Sequence, residues 1–147
     1  QSLAVVYLDL DGFKAVNDQH GHEAGDELLI CVARHMHDAL RQGDTLARIG
    51  GDEFVAVLVD LADPCDCEPV LLRLLQAAAR SVTAAETLLN VSASIGVTLY
   101  PQDEADADLL LRHADQAMYL AKQAGRNRYH LFDADQLAAV KSQRETH

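Results

Sequence analysis

Residues 45–59 read TLARIGGDEFVAVLV. Two short runs, Thr45–Ile49 and Phe54–Val59, are strand-like and flank Gly50-Gly51-Asp52-Glu53. A Gly-Gly pair between apolar runs predicts a hairpin, because tight hairpin turns need positive φ angles that glycine adopts without strain. Upstream, Leu3–Leu10 (LAVVYLDL) is a short apolar run that ends in acidic residues, so it predicts a buried strand with carboxylates at its end. Residues 11–25 are rich in Gly, Asp, Asn and His and predict a loop holding a single helical turn. From Glu23 to Arg41, Leu28, Val32, Met36 and Leu40 recur at helical spacing, and Gly43 ends that helix.

Downstream, residues 60–67 form a loop containing Pro64, and residues 68–80 predict a helix. Residues 89–100 alternate Leu89, Val91, Ala93, Ile95, Val97 and Leu99, a strand signature with Gly96 as a candidate bulge and Pro101 as its stop. Residues 106–124 predict a helix with Leu109, Leu110, Ala114, Ala117, Met118 and Ala121 inward, closed by Gly125. Residues 129–132 predict a last short strand, and residues 133–147 a polar linker with a weak helical stretch. This mixed order of strands and helices predicts an α+β fold, a largely antiparallel sheet with helices packed on it.

The 147 residues suit one domain. Twelve basic and twenty-three acidic residues leave a net charge of −11, which argues against binding a nucleic-acid backbone. A small anionic ligand is still compatible, because a metal ion or a few local cations reverse the field. No apolar run reaches the roughly 18 residues that span a bilayer, so no membrane contact is expected of this segment. The chain opens on Gln1 without a signal peptide and reads as a fragment, with an upstream anchor or sensor left open. Cys31, Cys65 and Cys67 are too few for a disulfide framework, and a reducing, cytoplasmic setting is expected.

Five groups of residues carry chemistry. Asp9 and Asp11 at a strand end, with Asp52 and Glu53 at a hairpin turn, are carboxylates that repel unless a hard cation sits between them; solvated loop acids are the bland alternative. Gly50 and Gly51 either satisfy the turn or let a flat ligand approach the backbone. Asn17, His20, His22 and Asp26 share one segment. A carboxylate there accepts from both N1–H and the N2 amino group of guanine, which adenine does not offer, though Asn17, Asp18 and Asp26 equally suit turns and caps. Lys122, Arg126 and Arg128 flank a helix end, where they serve the helix dipole or contact phosphates. Arg41 and Asp44 are spaced for a local salt bridge, or for a guanidinium that clamps a guanine edge.

Residues 50–54 spell GGDEF, the signature of the GGDEF family of diguanylate cyclases, and the chain resembles that family well beyond the motif. LDLDGFKAVND and HGHEAGDELL resemble its first strand and nucleotide loop, ARIGGDEF its signature hairpin, SASIGVTLYP its later strand and ADQAMYLAKQAGRNRY its closing helix. The likeness runs from Leu3 to Phe132. It implies a nucleotide-cyclase or polymerase-palm-like sheet with a ferredoxin-like core over residues 1–132. It also implies condensation of two GTP into cyclic di-GMP and two pyrophosphates, across a homodimer. Asp9 through its side chain and Leu10 through its carbonyl fall at the positions for Mg²⁺ (or Mn²⁺). Asp52 is implied as a metal ligand and base, and Glu53 as a ligand for a second ion. Asn17 and Asp26 fall where guanine is recognised. Gly12 and Phe13 supply backbone amides, and Lys122 and Arg126 charge, at the phosphates; Gly50 and Gly51 line the substrate. Arg41 and Asp44 match an R-x-x-D inhibitory site that binds cyclic di-GMP.

The family's D-x-L-T segment and preceding helix do not appear before Leu3, and LFDADQLAAVKSQRETH resembles a linker into an EAL phosphodiesterase domain. A second reading therefore stands beside the cyclase: a non-catalytic GTP- or cyclic di-GMP-binding domain that controls an adjacent phosphodiesterase.

Overall fold

In the computed structural model, which describes residues 2–84 and 86–133, the alternation along one strand decides how the layers stack. This strand, β1 (Ser2–Asp11), sends Ala4, Val6, Leu8 and Leu10 to one face, where they join the main core. Val5, Tyr7, Asp9 and Asp11 take the other face, as the two-residue period of a strand requires. Both faces are covered, which is why the run is almost continuously apolar until its acidic end.

β1 lies at the centre of a five-stranded sheet in the order β2-β3-β1-β6-β7. Its neighbours are β3 (Glu53–Leu61) and β6 (Ser92–Tyr100), both antiparallel to it. The outer strands are β2 (Thr45–Gly50), antiparallel to β3, and β7 (Arg128–Leu131), parallel to β6. The hairpin predicted from Gly50-Gly51 is therefore β2–β3, and it brings Glu53 opposite Asp9.

Two helices follow β1 directly, α1 (Phe13–His20) and α2 (His22–Ala39), and α2 packs on α3 (Cys67–Ala78) over the apolar face. Leu28, Val32, Met36, Leu71 and Leu74 are almost fully buried against Leu8, Phe54, Leu58 and Ile95. Each such side chain contributes about 1.5–3 kcal/mol by leaving water. A short 3₁₀ turn, Pro64–Asp66, leads into α3. Asp63 caps it by accepting from the Cys65 amide at 2.9 Å. A small hairpin, β4 (Val82–Ala84) with β5 (Thr87–Leu89), follows α3.

The last helix, α4 (Ala107–Gln123), covers the opposite face over β1, β6 and β7. Asp106 caps it by accepting from the Leu109 amide at 2.9 Å, and Gly125, with φ 125°, follows its end as the sequence predicts. Val5, Leu110 and Ala114 form a small core between helix and sheet.

Several expectations change. Residues 11–25 are not a loop: they hold α1 and the start of α2, separated only by Gly21. α1 is short and polar, and only Phe13 and Val16 of it are buried, so its periodicity is faint. The strand predicted over 89–100 is two strands broken at Asn90 and Val91, and the β4–β5 hairpin is an addition. Gly96 is not a bulge. It pairs in regular register with Tyr7 and His130, and α4 lies on it: an added Cβ would sit 1.9 Å from the Ala114 carbonyl oxygen. The linker expected over residues 133–147 lies, beyond Asp133, outside the described residues. No helix among the described residues is long and apolar enough to cross a membrane, and all three cysteines are free thiols.

Candidate active site

The acidic end of β1 and the turn of β2–β3 are tied together by the backbone. The Leu10 amide donates to the Asp52 carbonyl at 3.1 Å, and Arg48 Nε donates to the Gly51 carbonyl at 2.8 Å. Asp52 is thereby held beside Asp9, and the two carboxylates share one end of the sheet.

Asp9 is only 8% exposed, and its Oδ1 has no hydrogen-bond partner. Its Oδ2 takes the Lys122 ammonium from the last turn of α4. Burial pushes the Asp9 carboxyl above the usual range, Lys122 pulls it down, and the negative charge of Asp52 raises it again; the net direction is up. Glu53 lies opposite Asp9, and the pKa of the nearby Tyr7 hydroxyl is pushed up to about 12 by burial and by the Glu53 charge.

A buried carboxylate oxygen with no donor, beside a second carboxylate, is a site that a hard divalent cation suits. Among the described residues, no group of three or more His, Cys, Asp and Glu side chains is arranged to hold a metal ion. An ion here would therefore complete its shell from backbone carbonyl, water and ligand oxygens, as magnesium does.

Asp11 behaves differently from Asp9, although the sequence groups them. Its oxygens accept from the Ser92 and Ser94 hydroxyls, each at 2.8 Å, and from the Asn127 amide at 3.2 Å. Ser92, Ser94 and Asn127 escape a reading based on charged motifs. The available signal is the placement of two serines at alternate positions of a strand that is buried on both faces.

The remaining predicted residues fall around this end. Gly12, with φ 85°, turns the chain from β1 into α1, and Phe13 opens α1 with its ring in the core. First-turn amides of a helix have no intrahelical acceptor and favour anions. Asn17 lies on α1, with its Oδ1 buried and unpartnered, and it packs on Gly25 so closely that a Cβ there would be 1.7 Å from that oxygen. Asp26, next to Gly25 on α2, is exposed. Gly51 takes φ 46°, which the turn demands, whereas Gly50 has ordinary φ and open space around it. Turn geometry therefore explains Gly51 and leaves Gly50 free for a ligand to approach. Arg126 follows α4, with Nε 3.9 Å from Asp11 Oδ1.

Arg41 and Asp44 are not part of this cluster. They sit at the opposite end of the hairpin. Arg41 Nε and Nη2 form a fork on Asp44 at 3.0 and 3.1 Å, Nη2 reaches the Val59 carbonyl at 2.7 Å, and the Val59 amide donates to Asp44 at 3.1 Å. Burial opposes ionisation of Asp44, but these donors outweigh it and hold its carboxyl below the usual range. A shallow cavity of about 420 Å³ opens beside them, lined also by His37, Leu40 and Gln42. Another cavity, about 780 Å³, lies by Thr98, Asp103, Tyr129 and Phe132, and none of the predicted site residues lines it.

One end of the α+β sheet thus gathers carboxylates, cations and helix amides. Residues 1–128 match the family described as diguanylate cyclase, GGDEF domain. The chain is 43% identical over 140 residues to MucR of Pseudomonas aeruginosa, a bifunctional diguanylate cyclase and cyclic di-GMP phosphodiesterase; this covers 95% of the chain and 20% of MucR. It is 39% identical over 132 residues to NbdA of Pseudomonas aeruginosa, a cyclic di-GMP phosphodiesterase, covering 90% of the chain and 17% of NbdA. The solved GGDEF domain of TpbB (YfiN) from Pseudomonas aeruginosa superposes with a TM-score of 0.90 at 34% identity, covering 96% of the chain and 83% of that domain. The chain belongs to the GGDEF family of diguanylate cyclase domains. It spans about a fifth of the length of MucR and NbdA.

Proposed function

We propose that this domain condenses two GTP molecules into cyclic di-GMP and two pyrophosphates. The observation that carries the proposal is the buried, half-satisfied Asp9 carboxylate held beside Asp52, with Lys122 on its other oxygen. Each 3′-oxygen attacks an α-phosphorus, and pyrophosphate leaves. Asp9, the Leu10 carbonyl, Asp52 and Glu53 would hold Mg²⁺ or Mn²⁺, which when bound neutralises charge on the phosphates. Asp52 takes the proton of the 3′-hydroxyl. Asn17 and Asp26 read the guanine edge. Gly12, Phe13, Lys122 and Arg126 meet the phosphates, and Gly50 and Gly51 leave room for the nucleotide.

One domain holds one GTP, so the product forms between two copies related by a two-fold axis. Cyclic di-GMP inhibits by occupying Arg41 and Asp44, where the guanidinium and the 420 Å³ cavity meet. The domain ends near residue 132 and leads through residues 133–147 toward a phosphodiesterase domain, in the cytoplasm. NbdA, named as a phosphodiesterase, supports the second reading, a GTP-binding domain without turnover that controls such a neighbour.

The test is incubation of the chain, fused to a dimerising coiled coil, with GTP and Mg²⁺ and detection of cyclic di-GMP. Product that is lost in Asp52→Ala supports the cyclase. GTP binding without product favours the regulatory domain.

A further inference from the structure

The reaction proposed above gives Asp11 no task, yet three hydrogen bonds converge on it. It lies two residues from Asp9 on β1 and is 9% exposed. Its partners come from two places: the Ser92 and Ser94 hydroxyls of β6, and the Asn127 amide beyond α4. That second place is unusual backbone. Arg126 and Asn127 both hold left-handed conformations, φ 65° and 52°, directly after Gly125 at φ 125°. Side chains other than glycine adopt this region rarely, and two in succession persist only when neighbours fix them. The Arg126 amide closes on the Ala121 carbonyl at 3.0 Å, and the Asp11 carboxylate takes the next amide.

The Arg126 side chain is 62% exposed, and its Nε stays 3.9 Å from Asp11 Oδ1. This distance is too long for a hydrogen bond. The carboxylate therefore orients the guanidinium without consuming its donors, which remain for a ligand. Asp9 and Asp11 are two apart on a strand and so share a face; Lys122, in the last turn of α4, meets Asp9, and Arg126, in the turn beyond the helix, stands beside Asp11.

We propose that Asp11 is a positioning residue: it clamps the left-handed turn at residues 125–127 onto the end of β1 and so presents Arg126 to the polyphosphate of the nucleotide. This rests on the nucleotide reading above. Asp11 itself binds neither metal nor substrate. Ser92 and Ser94 hold the carboxylate in place from β6.

The test is equilibrium titration of the 147-residue chain with GTP and with GMP, together with hydrogen exchange at the Asn127 amide. Asp11→Asn is expected to weaken GTP binding about tenfold, the size of a charge-assisted contact. GMP, which lacks the outer phosphates, changes less. Exchange at Asn127 accelerates. Arg126→Ala gives a similar loss, and the double variant Asp11→Asn with Arg126→Ala loses no more than either alone, because the two act through one contact. If Asp11→Asn fails to fold, Ser92→Ala with Ser94→Ala loosens the same carboxylate and is expected to weaken GTP about threefold, with the same GTP-over-GMP bias. Unchanged GTP affinity with faster exchange at Asn127, or fully additive losses, overturns the proposal and leaves the nucleotide reading standing. A wild-type chain that does not bind GTP overturns that reading, and this one with it.

Discussion

Leu8 and Asp9 are neighbours on β1, yet Leu8 points into a dry apolar layer beneath α2 and α3 and Asp9 into a charged one at the end of α4. The apolar face is satisfied throughout: its side chains are almost fully buried against one another. The α4 face starts in the same way at Val5 and Leu110 but changes to Tyr7, Asp9 and Asp11 within a few residues. There a carboxylate oxygen is left buried without a donor. One face supplies stability, and the other carries a polar arrangement that folding alone does not need. A change on the first should cost stability, and a change at the end of the second should cost chemistry.

The largest effect tests the second half of that contrast. Asp52→Ala is expected to lower cyclic di-GMP formation about 10³-fold, as loss of a base or charge-stabilising group does. Its melting temperature should stay within a few degrees, because Leu10 bonds the Asp52 backbone and not its side chain. Gly96→Ala tests where α4 meets the sheet. Its Cβ would press on the backbone at Ala114 and Met118, so a loss of about 3 kcal/mol in denaturant melts is expected. Tolerance of alanine there would mean that the helix sits further from the sheet.

Leu8→Ala tests the apolar face. It should cost about 2–3 kcal/mol, with the GTP affinity of the folded fraction unchanged. Asp9→Asn sharpens the comparison by reversing it. The Asp9 carboxyl is raised by burial and by Asp52, so its charge costs stability once pH rises above the unfolded value of about 3.9. The neutral amide should raise the stability of the ligand-free protein at pH 7, read from denaturant melts, while turnover is lost.

Asp44 provides the opposite sign. Its folded pKa is lowered, so its contribution is fully present above the unfolded value of about 3.9 and disappears as pH falls through the folded one. Asp44→Asn should lose about 1 kcal/mol at pH 7 through its bonds to Arg41 and Val59, and should flatten the acid side of the stability profile.

Much of this could be read in the chain because it is local. The Gly-Gly turn, the helical spacing of Leu28, Val32 and Met36, the alternation of Ala93, Ile95 and Val97, and Gly125 after α4 all act within a few residues. α1 escaped because eight polar-rich residues with two buried positions carry little period. The bulge read at Gly96 failed because its reason lies in a helix some twenty residues away: Ala114 and Met118 need the space that a side chain would fill.

The sequence by itself determined the hairpin, the α+β class and the family, because turn chemistry, periodicity and motif spacing are properties of short segments. The tertiary structure decided the strand order, the parallel seating of β7 on β6, and the different fates of two aspartates on one strand. Nothing in DLD separates Asp9 from Asp11. Only when β6 brings two serine hydroxyls and α4 brings an ammonium and a left-handed turn does one carboxylate become saturated and the other remain open. Hydrogen-bond satisfaction depends on contacts about eighty to a hundred and twenty residues apart, and those exist only in the folded chain.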